Sequence, residues 1–214
     1  MDKKYCIFDM DGTLVDSMGY WRRLGWDYLE SKGFTGEKVD WVMSRIKPLT
    51  MLQSGQLFKD TFAMKESPEE IVAQMHAVME GHYRHDVQLK DGIRGYLDKL
   101  KARGCLMCVA TATEQSLSLA CLERLGIGEY FEFLLSGENL GMRKSEPDIY
   151  LLAGEKLGGA PGETAVFEDA LYAARTAKDA GFYTVAVQDI GRGSQWEELL
   201  TFADEAVTDW NKAD

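Results

Sequence analysis

Two aspartates separated by a single residue follow the first apolar segment of the chain. The run Lys4–Asp9 predicts a short buried strand of a parallel sheet, so that Asp9 ends the strand and Asp11 lies just beyond it. Sheets of this kind bind ligands at that edge. Carboxylates so close together repel each other unless a cation lies between them, and a set of oxygen ligands favours Mg²⁺. A magnesium site is one interpretation, and a solvated acidic turn is the alternative.

Reactive side chains also follow the next three predicted strands, which are Cys105–Ala110, Phe131–Leu135 and Thr164–Phe167. They are hydroxyls after the second strand, basic groups after the third and acids after the fourth: Thr111 with Thr113, Arg143 with Lys144, and Glu168 with Asp169. Phosphoryl transfer through an aspartate requires a nucleophile, an acid or base, a positive charge and metal ligands. The four strand ends together supply this set.

Each of the three later groups also has a structural alternative without a catalytic role. These alternatives are a helix capping box, a solvated basic turn, and acids in the first turn of a helix, where the helix dipole favours them. The capping box would involve Thr111 with Glu114, the basic turn Arg143 with Lys144, and the acids of the first helical turn Glu168 with Asp169. The order of the groups along successive strands favours the catalytic interpretation more than any one group does.

Short apolar runs that alternate with helical patterns predict the fold class. After residue 88 the alternation continues to strands at Phe182–Val187 and Glu205–Val207. Such repeats predict an α/β fold with a doubly wound parallel sheet and right-handed crossovers. Residues 17–88 contain no convincing strand but several helical segments, one of which begins with a capping box at Ser67. We therefore predict a core domain of residues 1–16 and 89–214, with residues 17–88 inserted as a helical cap domain.

The four motifs, in this order, resemble those of the haloacid dehalogenase-like (HAD) superfamily, and within it the β-phosphoglucomutase-like group, which has a helical cap. The resemblance covers essentially the whole chain. The first motif, FDMDGTLVDS, is highly specific, and the fourth, VFEDALYAARTAKDAG, is moderately specific. The resemblance implies a HAD-like Rossmannoid core with an inserted cap, and an enzyme that hydrolyses phosphoric monoesters.

The same resemblance implies a role for each motif residue. Asp9 would attack phosphorus and form an aspartyl phosphate, and Asp11 would protonate the leaving oxygen and later deprotonate the attacking water. The phosphate-binding residues would be Thr111, Ala112 and Lys144. The Mg²⁺ ligands would be Asp9, the backbone carbonyl of Asp11, Asp169 and Glu168, with Glu168 acting either directly or as a partner of a ligand. Gly12 and Thr13 would support the geometry of the loop.

The chain departs from the pattern of the group at two informative places. The third motif reads Lys144-Ser145-Glu146-Pro147-Asp148, where the group usually has Lys-Pro-x-Pro-Asp. The retained Pro and Asp keep the register and favour Lys144 over Arg143. Trp21 stands where the sugar-phosphate mutases of the group carry a histidine, and this difference favours a hydrolase over a mutase.

We therefore expect a magnesium-dependent phosphatase that acts on a small phosphorylated metabolite, such as a sugar phosphate. The dehalogenases and phosphonatases that share the fold lack the second carboxylate of the first motif, so Asp11 favours phosphate esters as substrates. Two alternatives stay open. One is a sugar-phosphate mutase of the β-phosphoglucomutase type, and the other is a catalytically silent binding protein that keeps the HAD fold.

Composition narrows the possible partners and the compartment. The 24 basic and 35 acidic residues give a net charge of −11, which argues against binding to nucleic acid. We expect neither a targeting segment nor a membrane partner, because no apolar run is long enough. The Cys105-x-x-Cys108 pair lies on a predicted strand, so its sulfurs would point to opposite faces. We expect buried, reduced core thiols and a cytoplasmic protein.

Overall fold

The computed structural model describes residues 2–46, 49–189 and 193–213, and the chain divides into two compact units. The first unit comprises residues 1–18 and 87–214, and the second comprises residues 19–86. The second unit contains helices and no strand among its described residues. Its role as a cap domain stays a prediction.

The first unit is built on one sheet of six parallel strands. The strands are β1 (Tyr5–Phe8), β2 (Leu106–Thr111), β3 (Leu134–Ser136), β4 (Thr164–Glu168), β5 (Tyr183–Val187) and β6 (Glu205–Val207). Their order across the sheet is β3-β2-β1-β4-β5-β6, and every neighbouring pair is parallel. After β3 the chain returns to the other side of β1, which is the topology of a doubly wound sheet. The predicted fold class is confirmed.

Helices connect the strands and build the second unit. They are α1 (Met18–Ser31), α2 (Glu37–Met43), α3 (Met51–Phe62), α4 (Pro68–His85), α5 (Ile93–Ala102), α6 (Gln115–Arg124), α7 (Gly137–Leu140), α8 (Asp148–Leu157), α9 (Leu171–Asp179) and α10 (Gly193–Leu199). In the described parts of the chain, none of these helices combines the length and the apolar composition that a bilayer crossing requires.

The alternation of side chains along β1 and β4 determines which residues meet at the site. Phe8 stacks on Phe167 on one face of the sheet, with ring centroids 4.2 Å apart. Ile7 and Val166 lie on the opposite face, in the core cluster that includes residues of α8. Because successive side chains of a strand point to opposite faces, Asp9 and Glu168 follow Ile7 and Val166 toward α8.

The register of β1 against β4 brings these two acids to the same level. Phe8 pairs with Phe167, so the next residues, Asp9 and Glu168, are neighbours across the two strands. The backbone N–H of Asp9 also donates to the carbonyl of Phe167 at 3.0 Å, which holds Asp9 against β4 beyond the end of β1.

The helical unit begins two of its helices with capping boxes. At the start of α4, the Ser67 hydroxyl accepts from the backbone N–H of Glu70, whose carboxylate accepts from the backbone N–H of Ser67. This confirms the capping box predicted at Ser67. The indole Nε1 of Trp21, on α1, donates to the hydroxyl of the fully buried Tyr83, on α4, at 2.9 Å.

Two predictions about the sheet are wrong in detail. The third strand is Leu134–Ser136 rather than Phe131–Leu135; Phe131 is the C-cap of the 3₁₀ turn Gly128–Tyr130 and donates to the carbonyl of Gly128. Cys105 is not a buried core thiol: it lies before β2, is partly exposed, and its sulfur donates to the Lys3 carbonyl at 3.2 Å. The other three cysteines are buried, and all four are free thiols.

Candidate active site

Asp9 is buried at the carboxyl end of β1, with 6% of its surface exposed. Its Oδ1 accepts from Lys144 Nζ at 2.5 Å. Its Oδ2 is buried and has no hydrogen-bond partner. A buried carboxylate oxygen without a partner is costly, so this atom is suited to a cation or to an incoming electrophile. The alternative of a solvated acidic turn is therefore wrong for Asp9.

Lys144 joins Asp9 to Glu168 in the interior. Its Nζ donates to Asp9 Oδ1 and, at 2.6 Å, to Glu168 Oε1, and both Lys144 and Glu168 are almost completely buried. Burial lowers the pKa of Lys144, but the charges of Asp9 and Glu168 outweigh this effect and hold the pKa above its ordinary value. Burial, followed by the charge of Asp9, raises the pKa of Glu168. The alternative of a solvated basic turn is wrong for Lys144, whereas the adjacent Arg143 is exposed.

Three acids approach one another closely enough to hold one metal ion. One carboxylate oxygen from each of Asp9, Glu168 and Asp169 lies within 4.8 Å of the other two. The three acids are buried, and oxygen ligands of this kind suit Mg²⁺. The unpartnered Oδ2 of Asp9 is the feature that best fits a bound cation.

Gly12 lies directly against this acidic cluster. Its φ of +88° favours glycine, and a Cβ at this position would lie 2.4 Å from Oδ2 of Asp169. The loop after β1 and the carboxylate of Asp169 are therefore packed with no room for a side chain between them.

Asp11 is held by two hydroxyl groups. Ser17 Oγ donates to Oδ1 of Asp11 at 2.6 Å, and Thr113 Oγ1 donates to Oδ2 at 2.7 Å. Both carboxylate oxygens thus have a fixed partner. The bond from Thr113 links the loop after β2 to the loop after β1, so the second predicted motif orients the second acid of the first motif.

The remaining predicted residues surround this cluster. Thr111 ends β2, is fully buried, and accepts from the backbone N–H of Thr113 at 3.1 Å. Ala112 is exposed and lines a cavity of about 600 Å³ together with Lys144. Thr13 is fully buried, and its hydroxyl has no hydrogen-bond partner.

Two further structural alternatives are wrong because the helices begin later than those alternatives require. The N-cap of α6 is Glu114, whose carboxylate accepts from the backbone N–H of Leu117, so Thr111 caps no helix. Helix α9 begins at Leu171, so Glu168 ends β4 and Asp169 precedes the helix cap. Neither acid lies in the first turn of α9.

Two residues of the site, Tyr150 and Ser17, were not predicted as site residues, and Thr113 was predicted only as one of the hydroxyls after the second strand, with no role of its own. Tyr150 donates its hydroxyl to Glu168 at 2.8 Å, while Ser17 and Thr113 hold Asp11. Strand alternation could have indicated Tyr150, because α8 covers the face to which Asp9 and Glu168 point. Ser17 carried no signal beyond its presence in the first motif, and the position of Thr113 after the second strand gave no indication that it binds Asp11.

Comparison with known proteins identifies the family. The sequence model of the haloacid dehalogenase-like hydrolases matches residues 3–181, and the chain belongs to this family of hydrolases. The phosphorylated carbohydrates phosphatase of Thermotoga maritima is 28% identical over 82% of this chain and 80% of its own length. The fructose-1-phosphate phosphatase YqaB of Escherichia coli is 25% identical over 85% of this chain and 95% of its own length.

A solved structure from Thermotoga maritima, described as that of a candidate beta-phosphoglucomutase, has the same fold. It superimposes with a TM-score of 0.82 at 26% identity, over 98% of this chain and 95% of the other. The resemblance inferred from the motifs is confirmed, and so is the prediction that the protein is a hydrolytic enzyme of this family.

Proposed function

We propose that the protein is a magnesium-dependent phosphatase that hydrolyses small phosphorylated metabolites through an aspartyl phosphate on Asp9. The observation that carries the proposal is the buried Asp9 carboxylate, one oxygen of which is held by Lys144 while the other has no partner. A carboxylate fixed in this way and shielded from water is suited to nucleophilic attack on phosphorus.

The reaction would take place in two displacements. In the first, the Asp9 carboxylate forms a bond to phosphorus while the ester oxygen leaves and takes a proton from Asp11. In the second, a water molecule attacks phosphorus, Asp11 accepts its proton, and the bond to Asp9 breaks to release phosphate. Ser17 and Thr113 would keep the Asp11 carboxyl aimed through both proton transfers.

The acidic cluster fits Mg²⁺, with Asp9, Asp169 and Glu168 as the side chains that would hold it. A bound Mg²⁺ would offset the repulsion between the nucleophile and the phosphoryl oxygens. Lys144 would donate to a phosphoryl oxygen, as would the hydroxyl of Thr111 and the backbone N–H of Ala112. Gly12 would keep the loop close to Asp169, and Thr13 would support it.

Phosphorylated sugars are the substrate class that the relatives favour. Two of the relatives are named as phosphatases of phosphorylated carbohydrates and of fructose 1-phosphate. A mutase needs a second group that exchanges protons with the sugar, and Trp21, at the position of the mutase histidine, carries an indole N–H that donates to Tyr83. This contact argues against the mutase alternative.

The test is phosphate release from a panel of sugar phosphates, phosphoglycolate and an aryl phosphate, with Mg²⁺ and with a chelator. Asp9→Asn serves as the blank, since it removes the nucleophile while keeping the shape of the side chain. We expect metal-dependent release by the wild type only. Substantial metal-dependent turnover by the Asn variant would show that Asp9 is not the nucleophile. If no ester released phosphate, the mutase or the catalytically silent binding protein would be favoured instead.

A further inference from the structure

Tyr150 is a buried tyrosine at the site that none of the proposed chemical steps uses. It lies in the first turn of α8 with 1% of its surface exposed, and its hydroxyl donates to Glu168 Oε1 at 2.8 Å. Lys144 donates to the same oxygen at 2.6 Å. The other oxygen, Oε2, accepts a long bond of 3.4 Å from the backbone N–H of Ala170.

The two oxygens of Glu168 are therefore in different surroundings. Two strong donors converge on Oε1, whereas Oε2 has a weak partner and belongs to a carboxylate that lies within reach of Asp9 and Asp169. The terminal torsion of a glutamate is soft, so a single donor would leave the carboxylate free to rotate and exchange its oxygens. A second donor, fixed on a helix, restricts that rotation.

We propose that Tyr150 is a positioning residue that, together with Lys144, turns Oε1 of Glu168 toward the protein and leaves Oε2 for a divalent cation held with Asp9 and Asp169. This inference rests on the proposed function, because it concerns the metal of the same site.

The chain offers a matched control for the loss of this hydroxyl. Tyr183, at the start of β5, donates to Glu205 Oε1 at the start of β6, also at 2.8 Å. Those residues lie at the amino ends of their strands, opposite the carboxyl edge that carries Asp9. Tyr150→Phe and Tyr183→Phe each remove one tyrosine–glutamate hydrogen bond, and both keep the ring in place.

The experiment measures metal binding directly as well as activity. Each protein is titrated with Mn²⁺ in the absence of substrate, and free Mn²⁺ is read by electron paramagnetic resonance. We expect Tyr150→Phe to raise the dissociation constant about tenfold, the usual cost of losing a group that orients a metal ligand. The Mg²⁺ concentration for half-maximal phosphatase activity should rise by a similar factor, and excess Mg²⁺ should restore kcat with the substrate KM unchanged. Tyr183→Phe should keep the wild-type values.

Equal Mn²⁺ affinity in the wild type and in Tyr150→Phe would overturn the inference, as would a wild type that binds no Mn²⁺. A loss of kcat that excess Mg²⁺ does not restore would also overturn it, because the hydroxyl would then act on a step other than metal binding. Failure of the proposed function is distinguishable, since it would appear as a wild type that binds Mn²⁺ but releases no phosphate.

Discussion

Substitution of Gly12 by alanine should disable the site with only a small loss of stability. The added Cβ would lie 2.4 Å from Oδ2 of Asp169 and 3.1 Å from Cγ of Met18, whereas ordinary contacts begin at 3.4 Å. The carboxylate, or the loop that carries Gly12, must therefore move by about 1 Å. A displacement of about 1 Å in a catalytic group can reduce the rate about 100-fold.

The backbone contributes a separate cost that a control variant can isolate. Alanine at the φ of Gly12, +88°, is strained by roughly 1–2 kcal/mol. Gly104 has a φ of +76° in the same compact unit, and a Cβ there would meet no heavy atom within 4 Å. Gly104→Ala therefore introduces the left-handed strain without the collision.

The assay compares both variants by urea unfolding, by Mn²⁺ titration and by phosphate release. We expect both to lose roughly 1–2 kcal/mol of unfolding free energy, and Gly12→Ala to lose somewhat more because of the collision. Only Gly12→Ala should bind Mn²⁺ more weakly and lose about 100-fold in kcat. If Gly12→Ala and Gly104→Ala had the same activity and the same metal affinity, neither metal binding nor catalysis would depend on the close packing of Gly12 on Asp169.

Two further predictions concern hydroxyl groups. Thr113→Val removes the donor to Oδ2 of Asp11 but keeps the shape of the side chain. It should lower kcat about tenfold, because a hydrogen bond to a charged group is worth about 1.5–3 kcal/mol. Unchanged steady-state kinetics would show that the Thr113 hydroxyl is not needed to position Asp11. Ser67→Ala removes the acceptor for the backbone N–H of Glu70 at the start of α4. It should lower the unfolding free energy, measured by urea unfolding, by about 1 kcal/mol. An unchanged unfolding free energy would contradict the role of the cap.

The sequence predicts that the groups after successive strands come together, because the carboxyl ends of parallel strands lie at one edge of the sheet. Asp9, Lys144 and Glu168 lie far apart in the chain yet within hydrogen-bond distance of one another through the Lys144 ammonium. The repeated β-α pattern predicts the parallel strands, whereas the strand order and the register that complete the cluster are seen only in the structure.

The contacts that the sequence does not predict depend on where helices begin and on which way their side chains point. Thr111 and Glu114 have the spacing of a capping box, but α6 begins one turn later than that box requires, with Glu114 as its cap. Tyr150 follows Lys144 by six residues, and only the packing of α8 on the face of Ile7 brings its hydroxyl to Glu168. Propensity and spacing do not determine such choices, because tertiary packing can override them.

The bonds of Lys144 are compatible with its proposed role toward the substrate. A lysine ammonium has three N–H donors, and Lys144 uses two of them on Asp9 and Glu168. The third can bind a phosphoryl oxygen without breaking either ion pair, so the nucleophile can stay oriented while the substrate enters. The two neighbouring carboxylates also keep the pKa of Lys144 raised despite its burial, so the ammonium stays charged at neutral pH. The same ion pairs that fix Asp9 thus keep available the positive charge that a phosphoryl group requires.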